Sequence, residues 1–241
     1  MPNPTAAMLV IGDEILSGRT RDANAYHLAG RLVQVGIDLH EIRVVPDDHA
    51  VIVEALRSLS AAFDHVFTSG GIGPTHDDIT ADAVADAFGV GIDVRDDARA
   101  LLQAAVGKDR TLTPEHLRMA RIPHGADLIA NPLSGAPGIS IGNVHVMAGV
   151  PTIFVAMLDA VLPSLEAGRP VLSRELRFEV GEGRIAAPLR RLAEELSDLS
   201  FGSYPFRDGA VYGTNIVVRG TDDALIDQAI ERLEAIRRSH P

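Results

Sequence analysis

Three short apolar runs, each ending in a loop of glycine or aspartate, constrain this chain more than any other feature of its sequence. Residues 6–11 run into Gly12, Asp13 and Glu14; residues 37–45 run into Pro46, Asp47 and Asp48; residues 65–69 run into Gly70, Gly71 and Gly73. Between them lie segments with helical spacing. One follows the capping residues Asp22 and Asn24, carries Leu28, Leu32 and Val35, and stops at Gly36; the next carries Ile52, Leu56 and Leu59. A third helix is predicted over 80–88. Strands that alternate with helices build a parallel sheet, because parallel neighbours need a long crossover and a helix is its usual form. The fold class expected is therefore α/β with a mostly parallel sheet.

Beyond residue 90 the pattern becomes more helical. Residues 95–106 form one amphipathic segment, Thr113 and Pro114 open another as cap and first helical residue, and residues 151–165 form a mostly apolar helix. Gly142 and Asn143 between apolar runs predict a hairpin. Residues 12–18 read as a loop. EAGRP at 166–170 reads as a linker, which divides the chain into a domain over 1–168 and a small α+β domain over 171–241. In the latter, strands are expected at 175–180 and 211–219 and helices at 185–196 and 224–236.

Composition removes several classes of function. The 241 residues contain no cysteine, which excludes a disulfide framework, a thiolate zinc site and an iron–sulfur cluster and agrees with a cytoplasmic setting. No basic leader opens the sequence, and no apolar run is long enough to span a bilayer, so neither secretion nor a membrane partner is expected. The formal net charge of −11 argues against a nucleic-acid partner, since phosphate neutralisation needs a basic face. The acidity is local: residues 1–170 carry 12 basic and 21 acidic side chains, and residues 171–241 carry 10 and 12. Of the 22 basic residues only Lys108 is lysine, and without GxxxxGK[ST] spacing around it a Walker-type NTPase is excluded.

Ligands of an open parallel sheet bind beyond the carboxyl ends of its strands. Those loops bring Asp13, Glu14, Asp47, Asp48, Asp77 and Asp78 towards one rim. Crowded carboxylates repel unless a cation or protons compensate, and an all-oxygen set suits magnesium better than zinc. Asp48 and Asp77 read as helix caps, and Asp13, Asp47 and Asp78 as functional. Gly70, Gly71 and Gly73, before a helix N-terminus, read as a phosphate site made of backbone N–H groups. Ser134 and Gly135 in NPLSGAPG (131–138) offer further donors. Among nine histidines no metal motif occurs; His40, His65 and His145 lie in strand-like segments, and His76 stands inside the glycine loop.

TSGGIGPTHDDITADAVA (68–85), IGDEILSGRTRDANAYHLAGRL (11–32), VVPDD (44–48) and NPLSGAPG together resemble the molybdopterin-binding (MoaB/Mog) domain family. Within it the chain looks most like the N-terminal domain of competence/damage-inducible protein A (CinA) and the molybdopterin-binding-like domain of eukaryotic FAD synthase. FGSYPF (201–206) resembles a segment in the smaller C-terminal part of those proteins. The resemblance covers about residues 6–165. It implies a three-layer domain that binds molybdopterin or a nucleotide as a small phosphate-bearing ligand and forms a homo-oligomer, a dimer or trimer; the apolar helix at 151–165 points the same way.

It further implies Asp47 and Asp78 as catalytic residues, Gly12, Gly70, Gly71, Gly73, Thr80, Ser134, Gly135 and Pro137 as ligand-binding, and Asp13, Glu14 and Asp78 as holding a divalent metal, Mg or Co. The sequence departs from the adenylyltransferase pattern: Ile72 stands for a threonine, Asp77 for an arginine, and Met147 to Pro151 retain only glycine and proline of LPGxP. Loss of an arginine and gain of a carboxylate favour a metal-bound diphosphate, hence hydrolysis of an ADP-ribose or FAD type of substrate. The alternatives are molybdopterin adenylylation or molybdenum insertion, and pterin binding without turnover. No segment resembles CinA's deamidase domain, so no amidase activity is implied.

Overall fold

A computed structural model describes residues 2–107 and 109–239; Lys108 lies outside the described residues. The chain forms two compact units that meet between Gly168 and Arg169. In chain order the first contains β1 (Thr5–Ile11), α1 (Asp13–Leu16), α2 (Asn24–Val35), β2 (Asp38–Val45), α3 (His49–Ala62), β3 (His65–Ser69) and α4 (Thr80–Phe88). There follow β4 (Ile92–Val94), α5 (Asp96–Val106), α6 (Pro114–Arg118), β5 (Arg121–Pro123), β6 (Asp127–Ile129), β7 (Gly138–Ile141), β8 (Val144–Met147) and α7 (Pro151–Val161). The strand order β2-β1-β3-β8-β7-β6 makes a six-stranded sheet, parallel through β8 and antiparallel at β7 and β6. The α/β expectation is met. β4 and β5 pair separately.

Two apolar layers cover this sheet. Alternate residues of β1 divide between them: Ala7, Leu9 and Ile11 pack with Ile52, Leu56, Leu59 and Val84 on one side, and Met8 and Val10 with Leu28, Leu32, Phe154 and Leu158 on the other. A strand buried on both faces reads as a continuous apolar run, which is why residues 6–11 show no polar alternation. Local chemistry sets the helix ends. The Asp22 carboxylate accepts from the Asn24 and Ala25 amides, and Asp48 caps α3 by accepting from Val51 N. Gly36 and Gly89 close α2 and α4 in the left-handed region. Residues 13–16, read as loop, instead form one helical turn, because the Ser17 amide finds the Asp13 carbonyl at 2.9 Å.

The second unit has β9 (Leu172–Phe178), α8 (Glu182–Glu195), β10 (Ser200–Asp208), β11 (Val211–Gly220) and α9 (Asp223–Ser239). Its sheet is antiparallel in the order β10-β11-β9. The sequence reading had no counterpart for β10, and it placed β9 three residues late. Among the described residues no helix is long and apolar enough to cross a membrane.

His145 on β8 is 5% exposed, beside Phe67 and His65, with Ser140 Oγ 2.9 Å from its Nδ1 and no partner for its Nε2. Burial first, then the neighbouring His65, lowers its pKa to about 4. The unfolded chain takes up this proton near pH 6.5 and the folded chain only near 4. Stability from this group is therefore complete above pH 6.5, falls as pH drops through that window, and is lost below it, a change of roughly 3 kcal/mol. Urea unfolding at pH 7 and pH 4.5 should show this slope in the wild type. His145→Gln should flatten it.

Candidate functional site

At the carboxyl ends of β1, β2, β3 and β8 lies a cavity of about 550 Å3. The position follows from connectivity: the chain leaves β1 for β2 on one side and returns to β3 on the other, so the loops part and a crevice opens. Ile11 and Gly12 come from β1, Asp47 from β2, Gly70 to Gly73 from β3, and Ala148 to Val150 from β8. The lining combines apolar side chains, among them Ile72, Met119, Val150, Ile153 and Met157, with the polar Glu14, Asp47, Asp77, Asp78, Asn131 and Ser134.

The glycine loop is held from beneath. At Gly70, with φ +110°, a side chain would run into the Ile11 carbonyl oxygen; at Gly71, with φ +67°, it would run into Thr80 Oγ1. Thr80 is fully buried, donates its hydroxyl to Gly70 O at 3.1 Å and its amide to Gly71 O at 3.0 Å. It positions the loop and does not line the cavity. The Gly70 amide is taken by Met147 O, the Gly73 amide by Asp78 Oδ1, and the Gly12 amide by Val45 O. Among the described residues only the Gly71 and Ile72 amides of Gly70 to Gly73 lack a protein acceptor. The expected phosphate cradle is thus two amides wide.

The second loop is corrected in the same way. The amides of Ser134 and Gly135 both bond to Asn131, through its Oδ1 and its carbonyl, so neither is a spare donor. Asn131 Nδ2 donates to Ser134 Oγ at 2.5 Å and to Ala136 O at 2.8 Å, which leaves the Ser134 hydroxyl hydrogen for the cavity. Pro137 lies on a separate small crevice behind the glycine loop, with Arg118 and Arg121.

The carboxylates divide by their partners. Asp78 Oδ1 accepts from Gly73 N at 2.6 Å, and Oδ2 accepts from the amide and hydroxyl of Thr75 at 2.7 and 2.6 Å. Arg118 Nη2 holds the Asp78 carbonyl at 3.0 Å. Asp78, read as catalytic and metal-ligating, is a staple of its own loop, whereas Asp77, read as a cap, stands at the cavity rim with most of its side chain exposed. α4 has no side-chain cap. His76 points to solvent. Asp47 accepts the Asp13 amide at 3.0 Å and faces the cavity. Burial raises its pKa, the Asp13 hydrogen bond opposes this, and the charges of Asp13, Glu14 and Asp77 add to the rise.

The donor chemistry of this wall is all oxygen, which fits a hard cation. Asp13, Glu14 and Asp78 nevertheless form no ready cage: among the described residues no three His, Asp or Glu side chains gather to hold a metal, and Asp13 is not on the cavity wall. Magnesium is commonly held by one or two carboxylates together with substrate phosphates. Glu14 and Asp77 are two carboxylates in the cavity lining.

Asn24, Asn131, Arg118 and Met119 are the site residues that sequence reasoning missed. Asn24 was read as a cap, yet its buried amide donates to Ser69 Oγ and Gly149 O, joining α2 to the ends of β3 and β8. Asn131 had a signal, as the first residue of NPLSGAPG. Nothing local marks Met119, which lines the cavity from the end of α6, or Arg118, which lines the separate crevice and holds the Asp78 carbonyl.

The first unit is an α/β domain with its crevice at the switch point of a parallel sheet, the place where ligands of such sheets bind. Residues 7–167 match the family described as "probable molybdopterin binding domain", and the chain belongs to that family. Residues 170–239 match "FAD synthase, middle domain". A "CinA-like protein" of Citrifermentans bemidjiense is 39% identical over 83% of this chain and 48% of its own length. A "probable FAD synthase" of Caenorhabditis elegans is 30% identical over 98% of this chain and 50% of its own length. The chain thus spans about half the length of these relatives. A crystal structure of CinA from Thermoplasma acidophilum, 34% identical, covers 67% of this chain and 97% of its own with a TM-score of 0.63.

Asparagine has one carbonyl oxygen where Asp78 has two carboxylate oxygens, so Asp78→Asn strands either the Gly73 or the Thr75 donors. It should lower stability by about 1–3 kcal/mol in urea unfolding. Asp77→Asn, at the exposed rim, should stay within about 0.5 kcal/mol.

Proposed function

We propose that the chain hydrolyses a nucleotide diphosphate of the ADP-ribose or FAD type, with Asp47 as general base. The observation that carries this reading is the placement of Asp47: a carboxylate with a raised pKa facing the cavity that the two unpaired amides of the glycine loop also line. Those amides suit phosphate oxygens, and the apolar side chains of the lining, Ile72, Met119, Val150, Ile153 and Met157, suit a flat heterocycle. Asp47 Oδ2 is occupied by the Asp13 amide, so Oδ1 takes the proton as water attacks phosphorus. The P–O bond of the anhydride then breaks, and the leaving phosphate departs with the bridging oxygen.

Glu14 and Asp77 would hold a divalent cation, Mg or Co, with the diphosphate. Such an ion neutralises charge on the phosphoryl oxygens. The chain's own residues fix the geometry: Thr80 and Asp78 hold the glycine loop, and Asn131 aims the Ser134 hydroxyl. We also propose a homo-oligomer, because β2 is an edge strand that leaves Ile42 and Val44 exposed.

The test offers purified protein ADP-ribose, FAD, and molybdopterin with ATP, each with and without Mg or Co, and follows phosphate-containing products. Mononucleotide release that stops in excess chelator is expected, and Asp47→Asn should cut turnover about a hundredfold or more. Full activity in chelator would overturn the role of the ion. Adenylylated pterin as the sole product would assign the cavity to adenylyl transfer, and ligand binding with no product would assign it to pterin binding alone.

Light scattering should return a multiple of the 25.6 kDa chain mass. A constant monomer mass over a wide concentration range would refute the oligomer.

A further inference from the structure

FGSYPF at 201–206 has no part in the cavity. It makes up most of β10, and its alternation sends Phe201 to the apolar core beneath α8 and α9, with Ile216 and Val218 of β11. Gly202, Tyr204 and Phe206 fall on the opposite face, which neither helix of this unit covers. Directly paired residues across the sheet share that face: Arg177, Asn215 and Tyr204 form one row, and Glu175, Val217 and Gly202 the next.

Two glycines make room for two rings there. A side chain at Gly202 would overlap Cε2, Cζ and Oη of Tyr204, and one at Gly213 would overlap the Phe206 ring. The Arg177 guanidinium stands 3.8 Å from the Phe206 ring centroid and so occupies that ring. Tyr204 is different. Its hydroxyl is fixed by Arg219 Nη2 at 3.3 Å, while 46% of the residue remains exposed. Between them Asn215 Oδ1 is enclosed without a hydrogen-bond partner, an unmet acceptor at the centre of the face.

We propose that this face is a second ligand site, for a nucleotide. A heteroaromatic ring stacks on Tyr204, its phosphate bonds Arg219, and Arg177 stands on the far side of the same row. A mononucleotide fits better than a nucleic-acid strand. Glu175 and Asp208 share the face with the two arginines, so no continuous basic track exists for a run of phosphates.

The whole chain, labelled with 15N, is titrated with AMP, adenosine, inorganic phosphate and a ten-nucleotide oligoadenylate. AMP should shift the amides of residues 202–206 and 213–219. Tyr204→Ala should weaken that binding roughly tenfold or more, and Tyr204→Phe should retain it. Arg219→Gln should weaken AMP and leave adenosine unchanged. Unchanged signals from Ile185, Ile226 and Leu233 in the core of this unit show that each variant is folded.

AMP shifts confined to Gly70–Gly73 would overturn this site and leave the proposed hydrolase intact. Shifts confined to β10 and β11 would support it whatever the cavity does. Tight oligoadenylate binding without AMP binding would assign the face to nucleic acid and overturn the proposal.

Discussion

The backbones of β1 and β3 approach so closely at their carboxyl ends that the Ile11 carbonyl oxygen occupies the place a side chain at residue 70 would take. Only glycine permits this contact, and its φ of +110° turns the chain away from the sheet at the point where the crevice opens. The end of β8 closes on the same spot, since a side chain at Gly149 would stand 3.3 Å from Gly70 Cα. Three strand ends therefore converge on a patch of bare backbone. The buried Thr80, tied to both Gly70 and Gly71, makes the start of α4 part of the same unit.

Around that patch the polar groups fall into two sets. Asp78, Asn131, Thr80 and Asn24 spend their hydrogen bonds on neighbouring backbone and hydroxyl groups, and their work is to hold loops. Asp47, Glu14 and Asp77 line the cavity, with Thr75 and His76 beside the Asp77 carboxylate. Asp47 is also crowded by its like-charged neighbours, which together with burial outweigh the Asp13 amide. A cation or a proton beside Asp47 would relieve that repulsion.

The second unit solves a different packing problem. Its helices cover one face of a three-stranded antiparallel sheet, and Phe178, Ile216, Val218, Ile226 and Leu233 fill the space between. Arg174 reaches from β9 to Asp223 and Asp227 on α9 at the edge of this layer. The other face is left to rings that lie on glycine and to arginines that hold them, an arrangement set by register rather than by any single residue.

From the sequence alone came the alternation of strand and helix, the caps at Asp22 and Asp48, the stops at Gly36 and Gly89, the hairpin at Gly142 and the family resemblance. Each is local, decided by groups a few residues apart. The sequence also gathered loops that line the cavity, because the ends of parallel strands face one rim whatever their side chains. It could not say which atoms stay free. Whether Asp78 has a free oxygen depends on where Gly73 and Thr75 place their donors, and Asp77 caps no helix. The spare amide donors expected from Gly70, Gly73 and Gly135 vanish for the same reason. β10 escaped notice because Gly202 and Pro205 weaken its strand pattern, and only pairing with β11 holds it extended. Hydrogen-bond allocation and strand pairing join residues distant in the chain, so only the tertiary structure decided them.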